Sequence, residues 1–172
     1  MATQQKIFIA FDGPNDDEAY QALKAMQQSD GTVFNITSAR ELHGRLDKES
    51  DESLKEKLYR IMDEASICMV LVGSTTKSYR RFIKWQIERA LATSKPIIMV
   101  NENCIRTVDY DRCPTMMKKN LGLHIAFHAP IIEYALEHYP KSHQEHIKEE
   151  EHNPLRYTQE IYESLNLFTS DL

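Results

Sequence analysis

The chain has 172 residues, of which 41% are apolar and 27% are charged, and its formal net charge is −5 at pH 7. Such values are typical of a single soluble globular domain with a core of its own. The acidic balance argues against binding to nucleic acid by phosphate neutralisation, and no window approaches the roughly 20 apolar residues that a membrane span needs.

The N-terminal sequence and the cysteines indicate a cytoplasmic protein. The opening residues, MATQQKIFIAFDG, have no basic n-region, and their apolar run is too short for a signal peptide. Cys68, Cys104 and Cys113 are an odd number of cysteines separated by wide gaps. They predict neither a disulfide framework nor a zinc site, which fits a reducing compartment. We therefore expect no metal, and neither nucleic acid nor a membrane as a partner.

Short apolar runs alternate with helical segments in the first part of the chain. KIFIAF at 6–11 predicts a buried strand, and the turn DGPNDD leads into a helix from about 16 to 28. TVFNI at 32–36 predicts a second strand. The polar loop that follows, at 37–53, is long enough to suggest a function.

The middle of the chain continues this alternation with clearer patterns. ICMVLVG at 67–73 is apolar throughout, as expected of a central parallel strand. Residues 79–93 predict a helix, and PIIMVN at 96–101 predicts a fourth strand. Before these elements, residues 52–65 predict a helix with one apolar face, formed by Leu54, Leu58, Ile61, Met62 and Ala65.

The last third of the chain has weaker signals. Residues 111–121 predict a short helix or turn, and LHIAFH at 123–128 predicts a fifth strand. PIIEYALEHY at 130–139 predicts a helix, because proline suits its first turn. KSHQEHIKEEEHNP at 141–154 is interpreted as a charged break, and residues 155–168 predict a terminal helix.

This order of strands and helices predicts an α/β fold. We expect a three-layer sandwich whose central sheet has five parallel strands, joined by right-handed crossovers and covered by helices on both faces. The predicted elements divide the chain into a domain at 1–140 and a charged linker with a C-terminal helix at 141–172.

The predicted fold also indicates where a ligand would bind. In such sheets, ligands bind beyond the carboxyl ends of the strands, near the point where the strand order reverses. Three segments converge there, at residues 11–13, 37–45 and 73–75. Phe82 and Gln86 are four residues apart, so they share a helical face.

Two interpretations of that helical face are open on periodicity alone. In the first, Tyr79, Phe82 and Gln86 line a cleft with an aromatic wall and one polar group. In the second, Tyr79 and Phe82 pack in the core, and Gln86 is a solvated helix residue.

Three segments of the chain resemble the TIR-like proteins of bacterial antiphage systems of the Thoeris type. They are KIFIAFDGPNDDEA (6–19), IMDEASICMVLVGSTTKSYRRFIKWQIERALATSKPIIMVNEN (61–103) and YDRCP (110–114), and the resemblance extends over roughly residues 6–140. It implies a flavodoxin-like fold and cleavage of the bond between nicotinamide and ribose in NAD⁺. The product would be a signalling nucleotide, such as a cyclic ADP-ribose isomer or a histidine–ADP-ribose conjugate, that activates a separate effector protein. NAD⁺ would be the substrate, with no cofactor, and self-association is expected.

The chain departs from the family's pattern at the catalytic position. The family has a glutamate four residues after an aromatic residue on the helix that follows the third strand, and these positions match Gln86 and Phe82. Three explanations are open: an engineered replacement, a natural loss that leaves a binding protein, or takeover of the role by Glu88. Two residues rotate a helix by roughly 200°, so Glu88 would point away from the cleft.

A neutral amide changes the chemistry expected at that position. A carboxylate would stabilise the positive charge that develops on the ribose as nicotinamide leaves. Gln86 can still donate a hydrogen bond to a hydroxyl, but it brings no charge. We therefore expect a chain that binds NAD⁺ or its product and turns over slowly, and the alternative is a non-catalytic TIR-like module for binding or assembly.

The resemblance implies further substrate-binding residues around Gln86. Phe11 and Asp12 would line the pocket near the adenine or ribose end. The backbone amides of Gly73 and Ser74 could bind a phosphate, although an ordinary tight turn is the alternative. Trp85 would pack beneath the site.

The loop after the second strand supplies two more candidates. Ser38 and Arg40 lie where TIR folds often cover the site or associate with each other. Arg40 or Arg45 could bind a pyrophosphate through two parallel hydrogen bonds. The alternative for both arginines is an ordinary solvent-exposed charge.

Other groupings predict structure rather than chemistry. Asp111, Arg112 and Cys113 are interpreted as a turn held by an Asp–Arg pair with a small buried cysteine. His143 and His146 lack the spacing of a HExxH metal motif, which favours a solvated charged segment. A phosphate-accepting receiver domain would need an aspartate after the third strand, where this chain has Gly73 and Ser74.

Overall fold

A computed structural model of the chain describes residues 5–28, 34–78 and 81–168. These residues form an α/β fold with a parallel sheet between two layers of helices. The strands described are β1 (Gln5–Ala10), β2 (Phe34–Ser38), β3 (Ile67–Val72), β4 (Ile97–Asn101), β5 (Leu123–Ala126) and β6 (Leu155–Arg156). The helices described are α1 (Asp17–Gln27), α2 (Arg40–His43), α3 (Asp51–Asp63), α4 (Phe82–Ala92), α5 (Ala129–Lys148) and α6 (Gln159–Ser164), and Thr115–Lys118 form a 3-10 helix.

The strand order places the carboxyl ends of β1 and β3 side by side. The order is β2-β1-β3-β4-β5-β6, and every pair of neighbours is parallel. The chain moves from β1 outward to β2 and then crosses to β3 on the other side. The order therefore reverses between β1 and β3, which is where open α/β sheets bind their ligands.

Alternating side chains of β3 build the core on both faces of the sheet. Ile67, Met69 and Leu71 pack with side chains from α1 and α5. Cys68, Val70 and Val72 belong to the opposite cluster, with side chains from α3 and α4. Successive residues of a strand point to opposite faces, so a strand that is apolar throughout needs helices on both sides. The predicted flavodoxin-like fold is confirmed.

Helix α3 shows how local sequence sets an element and its buried face. It begins after Ser50, whose hydroxyl accepts a hydrogen bond from the Ser53 amide at 3.3 Å, as expected of an N-cap. Leu54, Leu58 and Met62 are buried on one side of the helix. The apolar stripe predicted for this helix therefore packs against the sheet.

The described sheet has six strands instead of the predicted five. The additional strand, β6, has two residues, and the Leu155 amide donates a hydrogen bond to the Gly122 carbonyl oxygen at 2.8 Å. Residues 155–168 are therefore not one helix, because β6 precedes a short α6. Two residues carry no periodic pattern, so only the pairing with β5 defines this strand.

Helix α5 is longer than predicted. It continues past residue 139 to Lys148 with Pro140 inside it, so residues 141–148 are helical and not a charged break. The proposed division of the chain at residue 140 stays a prediction. None of the described helices, α5 included, combines the length and apolar character needed to cross a membrane.

Candidate functional site

A small pocket opens beyond the carboxyl end of β1, between α2 and α4. Its cavity volume is about 10 Å³, which is room for about one water molecule. Pockets for drug-sized ligands usually enclose about 300–1,000 Å³, so a larger group needs either the open mouth or a movement of the lining side chains. The described residues that line it are Ile9, Phe11, Gly13, Ala39, Arg40, His43, Phe82 and Gln86.

Helix α4 supplies the wall that contains Gln86. The side chain of Gln86 is 2% exposed, and its Nε2 donates a hydrogen bond to the Phe82 carbonyl oxygen at 3.0 Å. The same helix packs Ile83 and Ile87 into the core. Phe82 and Gln86 thus share the pocket face, and Gln86 is not a solvated residue. Tyr79, the third predicted member of this face, lies outside the described residues.

The amide of Gln86 suits its surroundings better than a carboxylate would. An amide nitrogen can donate to the Phe82 carbonyl oxygen, whereas an ionised carboxylate only accepts hydrogen bonds. A glutamate in the same rotamer would place two acceptor oxygens against each other. The carboxylate of a Gln86→Glu variant would therefore turn away from its own helix.

The turn after β1 holds Phe11 and Asp12 by different contacts. The Phe11 ring stacks on Tyr20 with 4.4 Å between the centroids, and the Tyr20 hydroxyl lies 3.3 Å from Ser38 Oγ. Ser38 is thus connected to the pocket through two aromatic rings. Asp12 is buried, and its Oδ2 accepts hydrogen bonds from Asn15 Nδ2 at 2.9 Å and Thr75 Oγ1 at 2.6 Å. Asp12 therefore ties the β1 turn to the β3 turn, and the described pocket wall includes neither Asp12 nor Ser38.

Helix α2 places the side chains of Arg40 and His43 at the pocket. Arg40 Nη1 lies 2.7 Å from Asp17 Oδ1, and both side chains are substantially exposed. An exposed ion pair contributes little to stability, so the guanidinium can exchange Asp17 for an anionic ligand. Arg45 instead pairs with Glu49 at 3.2 Å and is not among the described lining residues.

His43 is a polar lining residue that sequence reasoning did not single out, and Ile9 and Ala39 are apolar ones. The His43 ring meets the Phe82 ring at 6.0 Å between centroids, with an angle of 80° between the planes. The available signal was the position of this histidine in the polar loop after β2. The loop was not expected to contain a helix, and only α2 brings Ala39, Arg40 and His43 onto one face.

The turn after β3 has a packing role. The Gly73 amide donates a hydrogen bond to Thr76 Oγ1 at 2.8 Å, and α4 begins only at Phe82. The amides of Gly73 and Ser74 are therefore not at the start of a helix, which removes the geometric reason to expect a phosphate there. Ser74 is exposed and is not among the described residues of the pocket wall.

Trp85 is buried behind the pocket, between α4 and α3. Its ring lies 6.3 Å from the Phe82 ring, and Lys55 Nζ lies 4.9 Å from its centroid. The indole therefore contacts Phe82 edge to face and is not among the described lining residues. This position matches the expected packing role of Trp85.

Two carboxyl groups that the sequence did not single out meet beside Gly73. Burial raises the pKa of Asp16, which is 1% exposed. Burial and the neighbouring Asp16 charge raise the pKa of Glu102 to about 7. Perturbed carboxyl groups at the strand ends are a typical property of functional sites.

The turn around Cys113 is structural, but its organising residue differs from the expected one. Asp109, and not Asp111, accepts hydrogen bonds from the backbone amides of Asp111 and Arg112, each at 3.0 Å. Burial raises the pKa of the Cys113 thiol to about 12. A protonated, buried thiol is unreactive, so the interpretation as a structural turn is confirmed.

The histidines of α5 have separate environments. His143 is buried, and its Nε2 lies 3.1 Å from the Ser94 carbonyl oxygen. In the described part of the chain, His146, Glu149 and Glu151 bring three potential ligand atoms within 4.8 Å of one another. Exposed acidic groups commonly adopt such an arrangement without a metal ion.

The comparison with known families covers the segment that builds this pocket. The family model described as "Thoeris protein ThsB, TIR-like domain" matches residues 8–105, more than half of the chain. That range includes the turn after β1, α2 and α4. A comparison with curated proteins returned no match. The match also includes the reversal of strand order between β1 and β3 and the whole described pocket wall. Because it covers more than half of the chain, the chain belongs to the Thoeris ThsB family of TIR-like domains.

Proposed function

We propose that this antiphage-defence TIR module binds NAD⁺ at the Gln86 pocket and belongs to the class that cleaves the bond between nicotinamide and ribose. The observation that carries the proposal is the burial of Gln86 beside Phe82 in a pocket at the reversal of strand order. A polar side chain that is aimed into an aromatic-walled pocket at this position suits recognition of a ribose. The enclosed space holds about one water molecule, so the lining side chains would move to admit the ribose, and the rest of the dinucleotide would lie across the open mouth.

The pocket's side chains suit different parts of the substrate. Phe11 and Phe82 offer aromatic surface to a base or the nicotinamide ring. Arg40 at the mouth suits a pyrophosphate, and His43 lies at the wall with its ring against Phe82. Gln86 would hydrogen-bond a ribose hydroxyl.

The chemical step requires stabilisation of positive charge on the ribose. The bond between the anomeric carbon and the nicotinamide nitrogen breaks, and its electron pair leaves with nicotinamide. Water or another nucleophile then attacks the anomeric carbon. A carboxylate at position 86 would stabilise the intermediate charge, whereas the amide of Gln86 would not. We therefore expect slow turnover by the chain as it stands.

The product would carry the defence signal. We propose that it is an ADP-ribose derivative, a cyclic ADP-ribose isomer or a histidine–ADP-ribose conjugate, which addresses a separate effector protein. NAD⁺ is the substrate, so no further cofactor is required. Self-association of the chain, and a cytoplasmic location with access to NAD⁺, belong to the same proposal.

A non-catalytic module for binding or assembly is the second candidate. The hydrogen bond between Gln86 Nε2 and the Phe82 carbonyl oxygen favours it, because position 86 is then satisfied without a substrate. In this case the pocket would hold a nucleotide without breaking it.

Nicotinamide release distinguishes the two candidates. We expect Gln86→Glu to raise the rate of release from NAD⁺ by about 10² or more, the usual effect of one electrostatic contact in a transition state. The matched variant on the same helix is Glu88→Gln, since Glu88 is engaged with Lys84 at 3.6 Å. It should leave the rate unchanged, and loss of the remaining activity would instead assign the chemistry to Glu88.

Binding and product analysis complete the test. Calorimetric titration of the unaltered chain with NAD⁺ should detect binding even where release is slow. Mass spectrometry of the Gln86→Glu reaction, with and without free histidine, identifies the product. Equal release by the unaltered chain and Gln86→Glu would remove position 86 from the mechanism, and no NAD⁺ binding by either would overturn the proposal.

A further inference from the structure

Two carboxyl groups from different loops pack against the same glycine. Asp16 follows β1 and Glu102 follows β4, and Gly73 lies between them at the end of β3. A Cβ on Gly73 would collide with Asp16 Oδ1 and would lie 3.0 Å from Glu102 Oε2. The absence of a side chain at position 73 is what allows the two carboxyl groups to approach each other.

Asp16 is anchored to the β1 turn through one of its oxygens. Its Oδ2 accepts a hydrogen bond from the Asp12 amide at 3.0 Å, and the Asp16 amide donates to the Asp12 carbonyl oxygen at 2.9 Å. The other oxygen, Oδ1, lies at Gly73, on the side of Glu102. Any change in the position of the Asp16 carboxyl group is therefore passed directly to Asp12 and the β1 turn.

Glu102 has few groups that could offset a negative charge. Its amide donates to the Val72 carbonyl oxygen at 3.2 Å, which fixes its backbone to β3. Its Oε1 is buried and has no hydrogen-bond partner in the described part of the chain. The charged groups that act on it are Asp16 and Glu18 from the β1 side and Arg112 from the turn after β4.

Two adjacent carboxyl groups removed from water cannot both ionise at low cost. Burial comes first among the causes that raise the pKa of Glu102 to about 7, and the charge of Asp16 comes second. Burial also raises the pKa of Asp16, and the charge of Asp12 adds to this effect. One proton held between the two groups removes the repulsion, and the pair then titrates as a unit.

We propose that Asp16 and Glu102 share one proton and act as a positioning pair for the β1 turn of the Gln86 pocket. As the pH rises, the proton leaves to solvent and the charge of the pair changes from −1 to −2. The two carboxylates then repel each other across Gly73. The displacement reaches the pocket through the β1 turn, whose Phe11 and Gly13 line the wall.

Carbon-13 NMR of the side-chain carboxyl groups tests the shared proton directly. We expect the signal of Glu102 to titrate near neutral pH, well above the range of an ordinary glutamate. In Glu102→Gln this transition should disappear. Titration of both groups in the ordinary range of exposed carboxyl groups would overturn the proposal.

Unfolding as a function of pH tests the energetic consequence. A carboxyl group whose folded pKa is raised holds its proton more tightly in the folded state, so stability falls as pH rises from about 4.5 to about 7. Glu102→Gln removes this loss, and its unfolding constant at pH 8 should be roughly tenfold to hundredfold lower than that of the unaltered chain. Glu133→Gln, an exposed glutamate on α5, is the control and should keep the original pH profile.

A third measurement separates positioning from a purely structural role. The amide resonance of Gly13 should show a transition with the midpoint of the Glu102 titration in the unaltered chain, and that transition should be absent in Glu102→Gln. Glu102→Ala should lower stability and shift Gly13 at all pH values, because it removes the contact and not only the charge. A constant Gly13 resonance in the unaltered chain would refute positioning. None of these measurements depends on NAD⁺, so they stand apart from the proposed function.

Discussion

The side chain of Gln86 is stabilised by its own helix, and this has consequences for any acidic replacement. A glutamate at this buried position loses the hydrogen bond to the Phe82 carbonyl oxygen and is desolvated when charged. Both effects oppose ionisation and raise the pKa of the new carboxyl group. The charge that would serve catalysis therefore lowers the stability of the fold.

The pH dependence of Gln86→Glu follows from this conflict. A raised pKa in the folded state means that stability declines as pH rises from about 4.5 through the folded pKa, while nicotinamide release increases as the carboxylate forms. We expect the variant to be less stable than the unaltered chain by about 1–3 kcal/mol at pH 8, the usual cost of an unsatisfied buried group. Urea unfolding and release assays at several pH values measure both trends. Activity that falls over the same interval would contradict this account.

Gly73 provides a second prediction for a single residue. Gly73→Ala should lower the free energy of unfolding by about 1–3 kcal/mol, the usual cost of overpacking a filled site, because the new methyl group meets the Asp16 carboxyl group. Gly44→Ala is the matched control, since nothing lies within 4 Å of its Cβ position and its φ is −68°. That substitution should stabilise the chain by about 0.4–1 kcal/mol. Equal effects at the two glycines would argue against the tight packing of position 73.

Strands and helices that carry a hydrophobic pattern in their own sequence were predicted well. The strand at 67–73 and the helix at 52–65 correspond to β3 and α3, because burial imposes periods of two and 3.6 residues on their sequences. The predicted end of α5 was wrong because residues 141–154 were interpreted as a charged break, whereas the helix continues through Pro140 to Lys148 and buries His143. β6 could not be predicted, since its two residues are defined by pairing with β5.

The candidate site was likewise predictable only where its residues belong to one local pattern. Phe82 and Gln86 could be assigned to one face because four residues separate them on a helix. His43 and the carboxyl pair depend on contacts between loops that are distant in sequence, such as Asp16 and Glu102 at Gly73. No local pattern encodes contacts of this kind.

The contact between α6 and β5 gives a prediction at the level of elements. The Ala126 amide of β5 donates a hydrogen bond to the buried Tyr162 hydroxyl at 3.1 Å, and the Arg106 guanidinium lies 4.2 Å from the same ring. Tyr162→Phe keeps the ring but leaves the amide unsatisfied, which should cost about 1–3 kcal/mol. Hydrogen exchange of the Ala126 amide should accelerate. Tyr110→Phe, at an exposed tyrosine, should change neither quantity.

At the scale of the whole molecule, buried histidines and buried carboxyl groups have opposite effects on pH stability. Burial lowers the pKa of His124 to about 4, although the Met117 backbone acts weakly in the other direction, and burial also lowers the pKa of His143. The unfolded chain binds these protons more tightly, so stability is lost as pH falls from about 6.5 towards 4. Glu102 opposes this trend, because its protonated form favours the folded state.

Replacement of His124 should isolate the histidine contribution. His124→Leu removes a fully buried ionisable group from β5, so the variant should lose less stability between pH 7 and pH 5. The difference from the unaltered chain should be on the order of 1–2 kcal/mol by linkage. Urea unfolding at the two pH values measures it, with the exposed His138→Leu as control. Parallel losses in both variants would show that His124 does not carry the acid sensitivity.

The pocket wall that α2 contributes comes from four helical residues and their flanking loop, whereas α4 is locked into the core on its other side. Substitutions at exposed positions of this segment, such as Arg40, Glu41 and Arg45, can therefore alter the charge around the mouth, whereas Ala39 and Leu42 pack in the same core cluster as Phe82 of α4. The exposed face of α2 and its flanking loop is therefore the part of the pocket wall where charge can be changed with the least disturbance of the core.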